Sequence, residues 1–233
     1  MSKQFMAAIC LTGFALSGFA ASSNTINKAN QTVAATISHT TRVWSSSGIL
    51  QTFEFKEKMV RQGNTIWIER VIPQQANILE AQQHNAEQAG HKHLDKERAA
   101  KWITLNSDGS VTLRLVDPEN KAVVTVSKAE FSTVRFDGRW QTAYHLVSPD
   151  FLKTLTLKKV SKSGVQELVK VDGQQQTAIQ WDTLTELPLE MVYQDKDGVR
   201  FQKSSITLNP TPSTLPWKNL AGYKQMELSD FLD

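Results

Sequence analysis

The sequence predicts a mainly β protein of the α+β class, built on a large curved antiparallel sheet that forms a half-barrel or open barrel of roughly eleven strands. The first observation is an alternation of apolar and polar residues, as in the segment Val-Thr-Leu-Arg-Leu at residues 111–115. This alternation is typical of strands with one buried face. The second observation is a set of four Asp-Gly steps, at Asp108, Asp137, Asp172 and Asp197, that separate such segments. Asp-Gly favours tight hairpin turns because these turns require positive φ.

The segments that carry the strand pattern predict the order of the strands. They span residues 37–44, 50–61, 65–72, 111–116, 121–126, 131–136, 153–160, 165–171, 177–181, 188–194 and 199–208. Gln62-Gly63-Asn64 adds a turn signal between the second and third segments. Unequal spacing between the turns argues against a propeller or solenoid, since either needs a fixed repeat. We therefore expect one β domain over residues 22–208.

The first 21 residues are expected to be a signal peptide. Lys3 precedes an apolar run that continues to Phe19, and small residues surround Ala20. A positive start, a short apolar run and small residues at the cleavage site are the features of a secretory leader. The sequence therefore predicts a periplasmic protein with no integral membrane segment once the leader is removed. Cys10, the single cysteine, lies in this leader, which excludes disulfides and thiolate sites from the mature chain.

The charge balance argues against nucleic acid as a partner. The chain has 26 Lys and Arg against 23 Asp and Glu. The densest lysines, between residues 153 and 162, alternate with Thr, Leu and Ser and are interpreted as one solvated strand face. A nucleic-acid interface would require a clustered basic patch.

Two segments depart from the strand pattern. Residues 74–103 are rich in Ala, Gln and Glu and predict a helical insert in two pieces, interrupted at Gly90 and covering one mouth or face of the sheet. Trp102 is expected to anchor the second piece to the sheet. Residues 209–233 are interpreted as a Pro-containing linker followed by an apolar tail. We expect the tail to dock on its own domain, with partner binding as the alternative.

The insert carries a candidate metal site. His84, His91 and His93 lie within ten positions of one another, and imidazole nitrogen is a ligand that Zn²⁺ and Cu²⁺ both accept. A solvated polar loop and a pH-responsive lid are the alternatives. No other cofactor is expected. The remaining histidines, His39 and His145, are interpreted as structural.

No catalytic motif is evident, and the chain is not expected to be an enzyme. It lacks a Gly-x-Ser-x-Gly elbow and a Gly-rich phosphate loop. Ser204 and Ser205 lie on a predicted strand without a recognisable base partner. A small-molecule hydrolase remains an alternative, and it would require a Ser-His or paired-carboxylate geometry.

Aromatic residues are the candidate ligand-binding groups. Six Trp are numerous for this length, and Ile66-Trp67-Ile68 is apolar on both strand faces, which predicts burial on both sides of the sheet. A curved sheet covered by helices can keep an apolar cavity for a hydrophobic ligand; a fully packed core is the alternative. The candidates are Phe53, Phe55, Trp67, Trp102, Trp140 and Trp181.

The C-terminal part of the chain carries a further set of short motifs. Ile-Gln-Trp-Asp at residues 179–182, Leu-Pro-Leu at 187–189, Asp-Gly at 197–198 and a closing strand through Leu208 follow one another. Over residues 130–208 this series resembles the LolA/LolB/RseB-like family of periplasmic lipoprotein-localisation and lipid-sensing domains. The resemblance implies a curved sheet with helices on its concave face, no enzyme activity, and binding of acyl chains, a lipoprotein or another envelope protein. A non-enzymatic periplasmic binding protein is thus expected, with a metal-binding periplasmic protein as the alternative.

Overall fold

The fold is one open sheet, and its strands come from nearly the whole length of the described chain. The structure, a computed structural model, describes residues 31–73 and 98–231. Within these residues the strands are β1 Val33–Trp44, β2 Leu50–Gln62, β3 Thr65–Val71, β4 Ala100–Leu105, β5 Val111–Asp117, β6 Ala122–Val126, β7 Thr156–Val160, β8 Val165–Asp172, β9 Gln175–Asp182, β10 Leu187–Asp195, β11 Arg200–Asn209 and β12 Lys224–Glu227. Their order across the sheet is β12-β6-β5-β4-β3-β2-β1-β11-β10-β9-β8-β7. Only the β12–β6 pair is parallel among these strands, so the predicted large, open, mainly antiparallel sheet is confirmed.

Short helices cover one face of the sheet, which we call the helix face. They are the 3₁₀ helix η1 Lys128–Val134 and the α-helices α1 Trp140–His145 and α2 Pro149–Lys153. Phe131 of η1 and Val147, between α1 and α2, pack in one core with sheet residues such as Ile37, Ile103 and Ile179. This larger core draws on alternate residues of the central strands, as the alternating sequence pattern requires.

The C-terminal segment covers the opposite face, which we call the tail face. Leu215, Trp217, Leu220 and Tyr223 pack against a second core drawn from strands β1 to β6. After this crossing, β12 pairs with the outer edge of β6, and Leu228, only 1% exposed, enters the helix-face core. The tail contains two 3₁₀ helices, η2 Pro216–Lys218 and η3 Leu228–Phe231. It therefore passes around the edge of the sheet and contributes residues to both cores.

Strand β3 is buried on both faces where the tail crosses it. Ile66 is fully buried in the helix-face core, and Trp67, 6% exposed, is buried in the tail-face core. Because neighbouring residues in a strand point to opposite faces, the Ile-Trp-Ile run must be covered on both sides. The tail, which follows the last long strand, provides the cover on the Trp67 side.

The predicted strand at residues 131–136 is wrong. This segment instead forms η1, which begins with a capping box in which the Ser127 N–H and hydroxyl both donate to the Glu130 carboxylate. Arg135 ends it in the left-handed conformation, with φ of 54°. The following Asp137-Gly138 step therefore leads into α1 rather than closing a hairpin.

The predicted helical insert ends earlier than residue 103. Residues 100–105 form β4, and Trp102 pairs in register with Trp67 of β3 on one side and Arg114 of β5 on the other. Trp102 is therefore a sheet residue and not a helical anchor. Residues 74–97 of the insert, and residues 1–30 with the predicted leader, lie outside the described residues.

Arg61 of β2 connects the sheet to the segments above its helix face. Its side chain is 2% exposed and donates to the backbone carbonyl oxygens of Tyr144 in α1 and Thr185 in the β9–β10 turn. Burial lowers the pKa of the guanidinium. The Thr185 hydroxyl in turn donates to Asp182 Oδ2 at 2.6 Å. The buried Arg61 side chain therefore fixes α1 and the β9–β10 turn relative to the sheet.

Candidate functional site

The tail face contains a cleft of about 410 Å³ between the sheet and the C-terminal segment, which we call the tail-face cleft. Its apolar and aromatic walls are Trp67, Ile72, Ala99, Ala100, Val116, Pro118, Pro216, Leu220 and Tyr223. Its polar rim contains Glu69, Arg70, Arg98, Asp117, Glu119, Asn120 and Asn219. The volume lies within the range of roughly 300–1,000 Å³ that is common for small-molecule sites.

A cross-strand row on the tail face leads to this cleft. Val60, Trp67, Trp102 and Arg114 lie opposite one another on four successive strands. The Trp67 indole N–H donates to Glu69 at 3.0 Å. The Arg114 guanidinium carbon lies 4.8 Å from the centroid of the Trp102 ring. The sheet therefore holds the two indoles side by side, and Trp67 lines the cleft.

One buried donor on this row has no acceptor. The indole N–H of Trp102 is buried and has no hydrogen-bond partner among the described residues. An unpaired buried donor costs about 1–3 kcal/mol.

Two carboxylates that line the cleft, those of Asp117 and Glu119, already have polar partners. Asp117, 7% exposed, accepts hydrogen bonds from the backbone N–H groups of Glu119 and Asn120 and from the Asn120 side chain. Glu119 Oε1 lies 3.7 Å from Arg98 Nη1, which makes an ion pair. These hydrogen bonds and this ion pair shape the turn that borders the cleft.

A second cleft, of about 400 Å³, opens on the helix face. Phe55 and Ile68 form part of its wall together with three cationic side chains and one carboxylate, which are Arg70, Lys101, Arg135 and Glu57. The Arg70 guanidinium carbon lies 4.5 Å from the centroid of the Phe55 ring. We call this opening the helix-face cleft; its lining is more charged than that of the tail-face cleft.

Beside the helix-face cleft, a hydrogen-bonded chain joins three strands. His39 Nδ1 lies 3.0 Å from Ser204 Oγ, and His39 Nε2 lies 3.0 Å from Glu57 Oε2. The His39 ring also stacks on Phe55, with centroids 4.4 Å apart. The side chains come from β1, β11 and β2, so the expectation that Ser204 lacks a base partner is wrong.

These three side chains have the connectivity of a Ser-His-acid triad, but Ser204 lies in the interior of the sheet. Ser204 lies within β11 and is paired with His39 of β1 on one side and Met191 of β10 on the other. The backbone N–H groups of a strand paired on both sides are used by the ladder. The N–H groups of β11 beside Ser204 are therefore not free to stabilise an oxyanion. We interpret the hydrogen bonds of His39 with Ser204 and Glu57 as a polar bridge across the helix face, which we call the His39 bridge.

The six predicted ligand-binding aromatics do not form one group. Trp67 and Trp102 lie together on the tail face. Trp140 and Trp181 lie on the helix face, where the Trp140 ring is 5.5 Å from Tyr144 and the Trp181 ring is 5.9 Å from His145. Phe55 lines the helix-face cleft, and Phe53 is 57% exposed. Of these six, Trp67 alone lines the tail-face cleft.

The predicted metal ligands His84, His91 and His93 lie outside the described residues, and that prediction stays untested. In residues 31–73 and 98–231, no group of three or more His, Cys, Asp or Glu side chains is placed to hold a metal ion.

Sequence reasoning missed the tail residues of the cleft and the His39 bridge. Pro216, Leu220 and Tyr223 lie in the segment interpreted as a linker and apolar tail, and its sequence does not indicate which face of the sheet it covers. His39 and Ser204 are separated by 165 positions, so only the strand order β1–β11 brings them together.

Comparisons with known proteins add an architectural likeness. No protein-family model matches the chain, and no curated protein matches it. An uncharacterized conserved protein from Thermus thermophilus is similar at 10% identity and a TM-score of 0.39, over 86% of this chain and 93% of that chain. MucB in the MucA/MucB complex of Pseudomonas aeruginosa is similar at 12% identity and a TM-score of 0.35, over 84% of this chain and 57% of that chain.

A third similar structure is a domain assigned to outer membrane lipoprotein sorting from Vibrio parahaemolyticus. It shows 10% identity and a TM-score of 0.30, over 81% of this chain and 89% of that chain. These identities and TM-scores are low, so the fold assignment rests on the sheet of this chain. None of the helices in the described ranges is long and apolar enough to cross a membrane.

Proposed function

We propose that this chain is a non-enzymatic periplasmic binding protein whose tail-face cleft takes a hydrophobic ligand of the acyl-chain type. The observation that supports this most is the tail-face cleft itself, which has aromatic and aliphatic walls and a polar rim. Ligand sites commonly combine an apolar lining with a few polar groups that orient the ligand.

The tail supports the proposal because it makes one wall of the cleft. Leu220 and Tyr223 are half-buried and belong to a segment without regular strand pairing until β12 begins. The opposite wall is the rigid sheet, where Trp67 is nearly fully buried. A ligand chain between them would replace water on both walls, and each buried CH₂ contributes about 0.8 kcal/mol.

The polar rim suggests how such a ligand would be oriented. Arg98, Glu119 and Asn219 all line the cleft, and Arg98 and Glu119 form an ion pair. The acyl chain would lie against Trp67, with the head group at this rim. A lipoprotein would present the same acyl chemistry, and it is the partner that this proposal favours among envelope proteins.

The absence of catalysis is part of the proposal. The polar groups that converge on the helix face, Ser204, His39 and Glu57, lie on ladder-paired strands that leave no backbone donors for an oxyanion. The predicted signal peptide would deliver the chain to the periplasm, where a carrier or sensor of acyl chains meets its ligand.

A fluorescence titration tests the proposal. The purified protein is titrated with a dansylated fatty acid, and the fluorescence change is compared for the wild type, Tyr223→Ala and Leu220→Ser. We expect each variant to weaken binding by about tenfold, because each removes about 1.4 kcal/mol of apolar contact. Phe53→Ala, which changes an exposed aromatic residue on the other face, is the matched control and should bind as the wild type does.

Two results would count against the proposal. If the wild-type protein does not change the probe's fluorescence, the chain does not bind a ligand of this acyl-chain type. Equal weakening by Phe53→Ala and Tyr223→Ala would move binding away from the tail-face cleft.

A further inference from the structure

The two edges of the sheet are finished differently. At one edge, β12 has four residues and leads directly into η3, where Leu228 is buried and the Glu227 N–H donates to Asp230 Oδ2 at 2.8 Å. At the other edge lies β7, which pairs with β8 alone in the described sheet and has a register shift between Leu157 and Lys159. All five residues of β7 are exposed. An uncovered edge presents a row of backbone donors and acceptors to any strand that approaches it.

We infer that β7 is a docking edge for an extended acidic segment of a partner protein, which would add to the sheet as a further strand. This inference goes beyond the proposed ligand function, because β7 lies at the sheet edge opposite the strands that form the tail-face cleft. Strand addition supplies affinity through main-chain hydrogen bonds and specificity through alternate side chains.

The charge of the edge selects the partner. Lys158 and Lys159 lie on β7 and Lys162 follows in the next turn, all exposed, and β7 itself carries no carboxylate. Glu167 of β8 lies opposite Lys159 in the ladder. Lys158 falls at the register shift and has no ladder partner, so the exposed lysines of this edge outnumber the one carboxylate opposite them. Opposite charges on adjacent strands attract.

The apolar residues of the edge continue a core row. Leu157, 51% exposed, lies opposite Leu168, which lies opposite Ile179, and both of these inner residues are buried in the helix-face core. An added strand with an apolar residue in this register would cover Leu157 and extend the row by one position. The partner segment is therefore expected to alternate acidic and apolar side chains.

A second copy of this chain fits the edge less well. Antiparallel pairing of β7 with β7 would bring the lysines of the two copies close together, and like charges on neighbouring strands are destabilising. Edge lysines are a common means of preventing such self-association. The same lysines that oppose a second copy favour an acidic strand.

Peptide binding to the full chain tests the inference. The protein is titrated with a short capped peptide that alternates Glu and Val, and with the counterpart in which every Glu is Lys, while backbone amide shifts and amide exchange are followed. We expect the acidic peptide to bind at least tenfold more tightly than the basic one, to slow exchange in β7, and to lose affinity as salt is added. Excess dansylated fatty acid should not compete.

Charge-reversal variants complete the test. Lys158→Glu/Lys159→Glu should reduce acidic-peptide affinity at least tenfold, whereas Lys128→Glu/Lys218→Glu, which makes the same charge change at exposed sites elsewhere, should leave it unchanged. Equal affinity for both peptides, protection outside β7, or equal loss in both double variants would overturn the inference. Concentration-dependent dimerisation that the Lys158/Lys159 reversal changes would overturn it too, since it would assign the edge to a second copy.

Discussion

The guanidinium carbon of Arg61 lies 4.0 Å from the centroid of the Tyr144 ring, although the two residues are 83 positions apart. The same guanidinium donates to the carbonyl oxygen of Tyr144 and to that of Thr185. α1 has only six residues, too few for a stable isolated helix. Its position above the sheet therefore depends on tertiary contacts of this kind.

Replacing Arg61 should be among the most destabilising changes at a charged residue. Arg61→Ala leaves two part-buried carbonyl groups without their donors and removes the cation–π contact, so we expect a loss of about 2–5 kcal/mol in the free energy of unfolding. Arg61→Lys should fall between this variant and the wild type, because one ammonium group cannot reproduce the two-armed contact. Urea denaturation measures all three.

The control for Arg61 is Arg42→Ala. Arg42 also lies over an aromatic ring, Phe201, at 4.2 Å, but it is exposed, and an exposed cation–π pair contributes about 0.5–1 kcal/mol. If both variants lose the same free energy, Arg61 does not hold the helix face together.

The His39 bridge should stabilise the sheet without making Ser204 reactive. His39→Phe keeps a ring against Phe55 but removes both hydrogen bonds, and we expect a loss of about 1–3 kcal/mol. Labelling with a fluorophosphonate, which reacts with activated serines, should be no faster in the wild type than in Ser204→Ala. Specific labelling of Ser204 would instead favour the hydrolase alternative.

The tail should be an integral part of the fold. Leu228 is 1% exposed and completes the helix-face core, so Leu228→Ala is expected to cost about 2–5 kcal/mol. Leu208→Ala, at a leucine 44% exposed, is the matched control and should cost less than about 1 kcal/mol. Equal, small effects in thermal denaturation would mean that the tail docks weakly.

Asp108 gives a pH-dependent contribution at one hairpin. Its carboxylate accepts hydrogen bonds from the Ser110 N–H at 2.9 Å and from the Ser110 hydroxyl at 2.7 Å. These bonds lower the pKa of Asp108 below its ordinary value of 3.8. Because the folded-state pKa is the lower one, the contribution is fully present above pH 3.8 and is lost as pH falls through the folded-state pKa.

Ser110→Ala checks this cause. Loss of the hydroxyl should move the Asp108 pKa upward toward 3.8, as followed by NMR titration of the side-chain carboxyl carbon. Asp150, whose pKa is lowered by a hydrogen bond from Lys153 at 2.8 Å, is the internal reference, because its pKa should be the same in both proteins. An unchanged Asp108 pKa would mean that the hydroxyl is not the main cause.

The sequence predicted most of the sheet because alternation and turn residues are local signals. The hairpins at Asp108, Asp172 and Asp197 each join two strands that pair with each other. β12 was missed because Lys-Gln-Met-Glu has little strand propensity. It extends only because the edge of β6 offers it a partner.

Two of the errors in the predicted secondary structure, at residues 131–136 and at residues 100–103, arose where local signals conflict. Residues 131–136 have strand-like alternation, but the Ser127-x-x-Glu130 capping box was also present in the sequence, and it governs the observed structure. Before Trp102 the chain is rich in helix-forming residues, yet pairing with β3 and β5 makes β4. The tail-face cleft could not be predicted, since it needs the tail and the sheet placed together.

Native mass spectrometry of the protein, purified without a tag from the cells that produce it, tests the ligand proposal most directly. The masses are recorded before and after mild denaturation, for the wild type and for Leu220→Ser. The account predicts a retained mass of an acyl-chain compound that is released on denaturation and is depleted in the variant. A bare polypeptide that also takes up no added fatty acid, or a retained compound unaffected by Leu220→Ser, would contradict it.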